Sequence, residues 1–154
     1  MNIKGDAIIL TGGKFDSKSA KTAHGLLRGS NRFNIKAIID PKHKNNYVHI
    51  DKNGKISLSN KISEIQIFEN LESFLESKII VEYCIIGVAS AGGILPLEMR
   101  NDVKNALKNN VSIINGLHSL LSKDNELSRI AKENNVKIHD IKLPRQLSTR
   151  ISLI

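Results

Sequence analysis

Cysteine occurs once in the 154 residues, as Cys84, and tryptophan not at all. A single thiol can form neither an internal disulfide nor a cysteine-rich zinc site, so the chain must fold by burying apolar surface, and a reducing cytoplasm is the expected compartment. Long apolar runs are missing too. Stretches such as Ala37-Ile38-Ile39 and Cys84-Ile85-Ile86 fall far short of the roughly 18 to 20 residues that span a bilayer, so no membrane partner is expected. The opening residues, Met1-Asn2-Ile3-Lys4-Gly5-Asp6, put an acid ahead of a short apolar stretch and do not read as a secretory signal. Aromatic residues are few, four Phe and two Tyr, which leaves little to stack on nucleic-acid bases.

Charge is present, but it does not form a run. The net formal charge is +8 from 23 Lys+Arg and 15 Asp+Glu. It divides as +7 over residues 1–60, −3 over 61–100 and +4 over 101–154. There is no arginine-rich segment, and lysine, asparagine and isoleucine are raised together (17, 16 and 23 residues), as a general compositional bias would raise them. Nucleic acid is therefore not the expected partner; a small-molecule anion is. With 40% hydrophobic and 25% charged residues the chain has the composition of one globular domain.

Strand-like and helix-like segments alternate. Ala7-Ile8-Ile9-Leu10 is a short apolar run stopped by Thr11-Gly12-Gly13, the pattern of a strand buried on both faces of a parallel sheet. A helix follows over 17–28, capped by Asp16 or Ser17, and a second buried strand over 35–39 ends at Asp40-Pro41. Residues 42–63 read as a polar excursion with a turn at Asn53-Gly54, followed by a short edge strand at 65–67 and a helical turn or two over 71–75. Strand 84–88, helix 97–108, strand 111–115, helix 124–133 and strand 136–141 complete the series. The expected fold is α/β and doubly wound, with a mostly parallel sheet of five or six strands, helices on both faces, and a ligand crevice at the carboxyl ends of the strands. The domain is expected over 1–145, with 146–154 a polar tail or the start of a linker.

Candidate chemistry gathers in the loops that would end those strands. In Thr11-Gly12-Gly13-Lys14-Phe15-Asp16-Ser17-Lys18-Ser19, the residues Gly12, Lys18 and Ser19 fit the phosphate-loop spacing G-x-x-x-x-G-K-[ST], but Ser17 replaces the second glycine. A plain anion seat at this helix start, with Gly12 and Gly13 in the turn, stands beside the alternative of a glycine turn with solvated lysines. Lys21, His24 and Arg28 recur at intervals of three and four and share one helical face with Thr22 nearby, either as a cationic wall of the crevice or as a solvated stripe. Asp40 stands where a ribose-binding acid would sit, or opens a turn with Pro41. Gly92 and Gly93 make a flexible concavity after the fourth apolar strand. His118, in Gly116-Leu117-His118, is the general acid/base candidate, because histidine changes charge near neutral pH. His139-Asp140 either orients or charge-balances the crevice or finishes a strand. Cys84 reads as a small buried apolar residue, and no metal-ligand spacing is visible.

Several of these segments, taken in order, resemble a known family. They are Lys21-Thr22-Ala23-His24-Gly25-Leu26-Leu27-Arg28, Ala37-Ile38-Ile39-Asp40, Gly87 with Gly92-Gly93-Ile94-Leu95-Pro96, Gly116-Leu117-His118-Ser119-Leu120-Leu121, and His139-Asp140-Ile141-Lys142-Leu143-Pro144. Together they resemble the N-terminal domain of the domain-of-unknown-function family 1611, some of whose members are described as D-glutamate N-acetyltransferase-like, over about residues 5–145. The resemblance implies a Rossmann-like domain normally followed by a larger P-loop domain, which this chain lacks. A fragment, a truncated product or a stand-alone version partnered in trans are the expected explanations. It further implies acetyl-CoA or a nucleotide as cofactor, an acidic amino acid as acceptor, the P-loop domain in cis or in trans as partner, and a homo-oligomer as one possible assembly. The alternative is a non-catalytic module that senses a nucleotide or coenzyme, or that oligomerises.

Overall fold

In the computed structural model, which describes residues 3–141, eight strands form one sheet. They are β1 (Gly5–Leu10), β2 (Phe33–Ile39), β3 (Tyr47–Ile50), β4 (Ile56–Ser59), β5 (Ile65–Phe68), β6 (Tyr83–Ile86), β7 (Ser112–Asn115) and β8 (Ile138–Asp140), in the spatial order β4-β3-β5-β2-β1-β6-β7-β8. The six strands from β5 to β8 in that order are parallel, whereas β3 and β4 are antiparallel. The expected five or six strands are thus the parallel set, and the polar excursion adds a hairpin. Asp51 closes its turn by accepting from the N–H groups of Asn53 (2.8 Å) and Lys55 (2.9 Å). The hairpin joins the sheet through β3, so β5 is an interior strand and not the edge strand that its short apolar run suggests.

Burial explains why the apolar runs became parallel strands. Residues 7–10 of β1 and 84–86 of β6 are buried on both sides, which only a sheet covered on two faces allows. The helices are α1 (Lys21–Arg28), entered through a 3-10 turn at Lys18–Ala20, then α2 (Leu71–Glu76), α3 (Leu97–Lys108) and α4 (Asn125–Glu133). Right-handed crossovers put α1 on one face and α2, α3 and α4 on the other. Consistently, α2 packs on α3 and α3 on α4. Asp102 of α3 accepts from the N–H of Leu71 at the start of α2 (2.9 Å). On the opposite face, Gly87 lets α1 come close: a Cβ there would lie 2.3 Å from Ile9 Cγ2 and 3.2 Å from Ala23 Cβ.

The parallel strands leave β1 in opposite directions, to β2 on one side and to β6 on the other. This is the topological switch point of a doubly wound sheet, and the loops after β1 and β6 diverge there to leave a crevice.

Candidate functional site

A cleft of about 360 Å³ occupies that switch point. The first crossover contributes Lys18, Ser19, Lys21 and Thr22; facing them are Ala89, Ser90 and Gly93 after β6, and Gly116 and His118 after β7. The floor is apolar, formed by Ile86, Val88 and Leu117. Lys18, Lys21, Thr22 and His118 are exposed, so two ammonium groups and an imidazole rim a cavity with an apolar base.

Each wall is fixed by backbone bonds. Ala89 N–H donates to Ser19 O (2.9 Å), tying the loop after β6 to the first crossover. Ser119 N–H donates to Gly93 O (2.8 Å), tying it to the loop after β7. Gly93 has φ +69°, and a Cβ there would stand 2.3 Å from His118 Cβ, so the close seat of His118 against this loop requires glycine. Asn115, fully buried, shapes the loop that carries His118: its amide donates to Ser119 O (2.9 Å) and Asp140 Oδ1 (2.7 Å), and its oxygen accepts from Leu117 N–H (3.0 Å). Asp140 also accepts from the N–H groups of Leu121 (2.9 Å) and Ser122 (3.1 Å). Burial pushes its carboxyl up, but hydrogen bonds from Ser122, Asn115 and Leu121 outweigh that and hold it below its ordinary range. Asp140 therefore orients the His118 loop, one of its two sequence readings. Neighbouring His139 is held below its ordinary range, first by burial and then by Lys137.

Lys21, Thr22, Gly93 and His118 thus meet in one cleft, and Gly92, with φ +69°, lies beside it in the same loop. The other sequence candidates go elsewhere. His24 Nε2 donates to Phe15 O (2.6 Å), and Arg28 Nε donates to Gly54 O (2.8 Å), fastening α1 to the hairpin turn. Lys21, His24 and Arg28 share a helical face but serve three different surroundings. Asp40 is fully buried, and its carboxylate accepts from Thr11 Oγ1 (2.6 Å) and from the N–H groups of Phe15 (3.0 Å), Lys42 (3.0 Å) and His43 (3.3 Å). It clamps the loop after β1 to the end of β2 and does not line the cleft. Gly12 (φ +56°) turns the chain where Met99 of α3 presses in, its sulfur 2.7 Å from where a Cβ would be, and Gly13 lies outside the cleft as well. The N–H of Ser19, which a phosphate seat would offer, is bonded to Ser17 Oγ (3.1 Å). Positive charge at the cleft therefore comes from lysine side chains, and the Ser19 amide does not contribute to a cradle. Asn115, Ser90 and Lys18 complete the arrangement, and only Lys18 carried a sequence signal, its place in the imperfect phosphate-loop spacing.

Among the described residues no cluster of His, Cys, Asp or Glu could hold a metal ion. Cys84 is fully buried, and burial, with the Asp102 charge adding to it, pushes its thiol far up, so it is unsuited to nucleophilic work. No described helix is long and apolar enough to cross a membrane.

Residues 51–144 match the family model described as a domain of unknown function (DUF1611_N), Rossmann-like domain. The chain belongs to the DUF1611_N family. A crystal structure of a DUF1611 family protein from Anabaena variabilis is 26% identical over 92% of the chain, with a TM-score of 0.70. The DUF1611_N chain covers 38% of the length of that protein. Homoserine dehydrogenase of S. aureus, in structures at pH 6.0 and pH 7.0, is 18% identical over 91% and 90% of the chain, with TM-scores of 0.44 and 0.46 and 33% and 32% of that enzyme covered. No curated protein matches the chain.

Proposed function

We propose that the chain is the small-anion-binding domain of an N-acyltransferase-like enzyme that acts on an acidic amino acid such as D-glutamate and is completed by a P-loop domain in cis or in trans. One observation carries this reading: Lys18 and Lys21 face His118 across a single cleft at the switch point. The ammonium groups suit the carboxylates of the acceptor, and the hydroxyls of Ser19 and Thr22 lie beside them to donate hydrogen bonds. His118 is accessible to take the proton that an amine loses when it is acylated. A cavity of about 360 Å³ encloses a molecule the size of glutamate but only the reacting end of acetyl-CoA or a nucleotide. The rest of such a cofactor must lie outside, which is why a second domain belongs to the proposal.

Calorimetry of the chain with D-glutamate, acetyl-CoA and ATP tests the binding step. Saturable D-glutamate binding that weakens about tenfold in Lys21→Ala is the expected outcome, matching the loss of one charge-assisted contact. No binding of any of the three overturns it. Acyl transfer to D-glutamate is expected only when a P-loop domain is supplied, and its absence then overturns the catalytic part. A second reading, a non-catalytic sensor of a nucleotide or coenzyme, draws on the His118 ring, which has no hydrogen-bonded orienting partner among the described residues. It is distinguished by ATP or acetyl-CoA binding without turnover in the completed assembly.

A further inference from the structure

A second cleft, of about 470 Å³, lies between the first crossover and the β3–β4 hairpin and shares no lining residue with the switch-point cleft. The polarity of its lining can be read from the bonds its side chains already make. His24 Nε2 meets Phe15 O at 2.6 Å. A carbonyl only accepts, so the ring proton sits on Nε2, and neutral His24 keeps Nδ1 as a bare acceptor. Asn46 Nδ2 donates one of its two N–H groups to His43 O (3.2 Å), so the amide offers the cleft an acceptor oxygen and one further N–H. His43 Nε2 lies 3.3 Å from Asp16 Oδ1, within ion-pair range although off the direction of a hydrogen bond. A proton on that nitrogen points toward the carboxylate, and in that tautomer Nδ1 of His43 is again an acceptor. Asp16, half-exposed, adds its carboxylate. Ser57 is the one hydroxyl in the lining, and Phe15, Ile56 and Leu58 make the rest apolar.

We propose that this cleft binds an aliphatic primary ammonium group, with the cation held by Asp16, His24 and His43 and its alkyl stem lying on Phe15, Ile56 and Leu58. An anion would meet a carboxylate and imidazole lone pairs there, the opposite of what it meets at the switch point. The titratable lining groups are Asp16, His24 and His43; the hairpin contributes none, and Lys42 acts on Asp16 from the turn after β2.

Histidine side-chain NMR during titration with n-butylammonium and 1,5-diaminopentane, with glutarate as anionic control, tests the site at about pH 8. Saturable shifts of His24 and His43 with the amines, and none with glutarate, are expected. Asp16→Asn should weaken the amines about tenfold and Ser57→Lys should block them, since a fixed ammonium then fills the cleft. Lys21→Ala, which lies in the other cleft, should leave amine binding here unchanged, which keeps this site separate from the acyltransferase reading. Absence of saturable amine shifts, glutarate binding as tightly as amine, or unchanged amine affinity in Asp16→Asn would each overturn the proposal.

Discussion

Asp40 shows how one residue can hold a site without belonging to it. Four donors from two stretches of chain converge on its buried carboxylate. Removing it in Asp40→Ala leaves the Phe15 and Lys42 N–H groups unpaired, with Thr11 and His43 keeping only their bonds to Ile39 O (3.4 Å) and to the Asp40 carbonyl (3.2 Å), and these losses should lower stability by roughly 3 kcal/mol. Urea denaturation reads this directly; a loss well under about 1 kcal/mol would mean that water replaces the carboxylate. The sequence marks Asp40 as an acid at a strand end, but its clamp role depends on Thr11 and Phe15, 29 and 25 residues away, and no spacing rule reports them. Gly93 makes the contrasting case. Gly93→Ala would drive a Cβ to 2.3 Å from His118 Cβ at a φ of +69°, against a Cβ next to backbone that cannot swing away. It should cost about 1–3 kcal/mol and displace His118, so weaker ligand binding should accompany the lower stability. Gly12→Ala meets only the flexible end of Met99 and should cost less of each. A Gly93 variant that binds and unfolds like the parent would show that the two loops can separate freely.

At the scale of elements, α3 and α4 are joined by charge as well as by packing. Arg100 pairs with both oxygens of Asp124 (2.8 Å each) and with Glu126 (3.0 Å), while Lys104 reaches Glu126 (3.1 Å). Asp124 is also the N-cap of α4, accepting from Leu127 N–H (3.0 Å). Hydrogen bonds from Arg100 hold its carboxyl below the ordinary 3.8 despite some burial. A carboxyl whose folded value is depressed contributes stability that is fully present above its unfolded value and is lost as pH falls through its folded one. Melting temperature should therefore drop on acidification below about pH 4, and Arg100→Met should flatten that acid limb while lowering stability near neutral pH by about 1 kcal/mol. An acid limb unchanged in Arg100→Met would assign it to other carboxyls. Element positions were largely legible: the helix expected over 97–108 is α3 residue for residue, because its apolar stripe is regular and Pro96 and Asn109 bound it. The hairpin was not, since β3 and β4 are four residues each, only partly buried, and set among Lys and Asn that carry no period. Missing the hairpin is also what made β5 look like an edge.

For the whole molecule, sheet order sets a gradient of stability. The middle strands β2, β1, β6 and β7 are paired on both sides and carry the fully buried residues, whereas β4 and β8 close the sheet and are half-buried at best. Both clefts open along this gradient. The switch-point cleft stands on Ile86 at the end of β6 and on the loops after β6 and β7, in the enclosed middle of the sheet, and the amine cleft stands partly on β4. Local opening takes the least enclosed elements first. Native-state hydrogen exchange should therefore show β1 and β6 amides opening only with global unfolding, and hairpin amides opening at several kcal/mol less. Arg28 is the hairpin's tie to α1, so Arg28→Ala should speed exchange in residues 47–59 without changing β1 or β6. The switch-point cleft should keep its ligand affinity in that variant, whereas the amine cleft should lose part of its own. Uniform exchange across all eight strands would show that the hairpin folds as one unit with the parallel sheet, and the two clefts would then be energetically coupled through it.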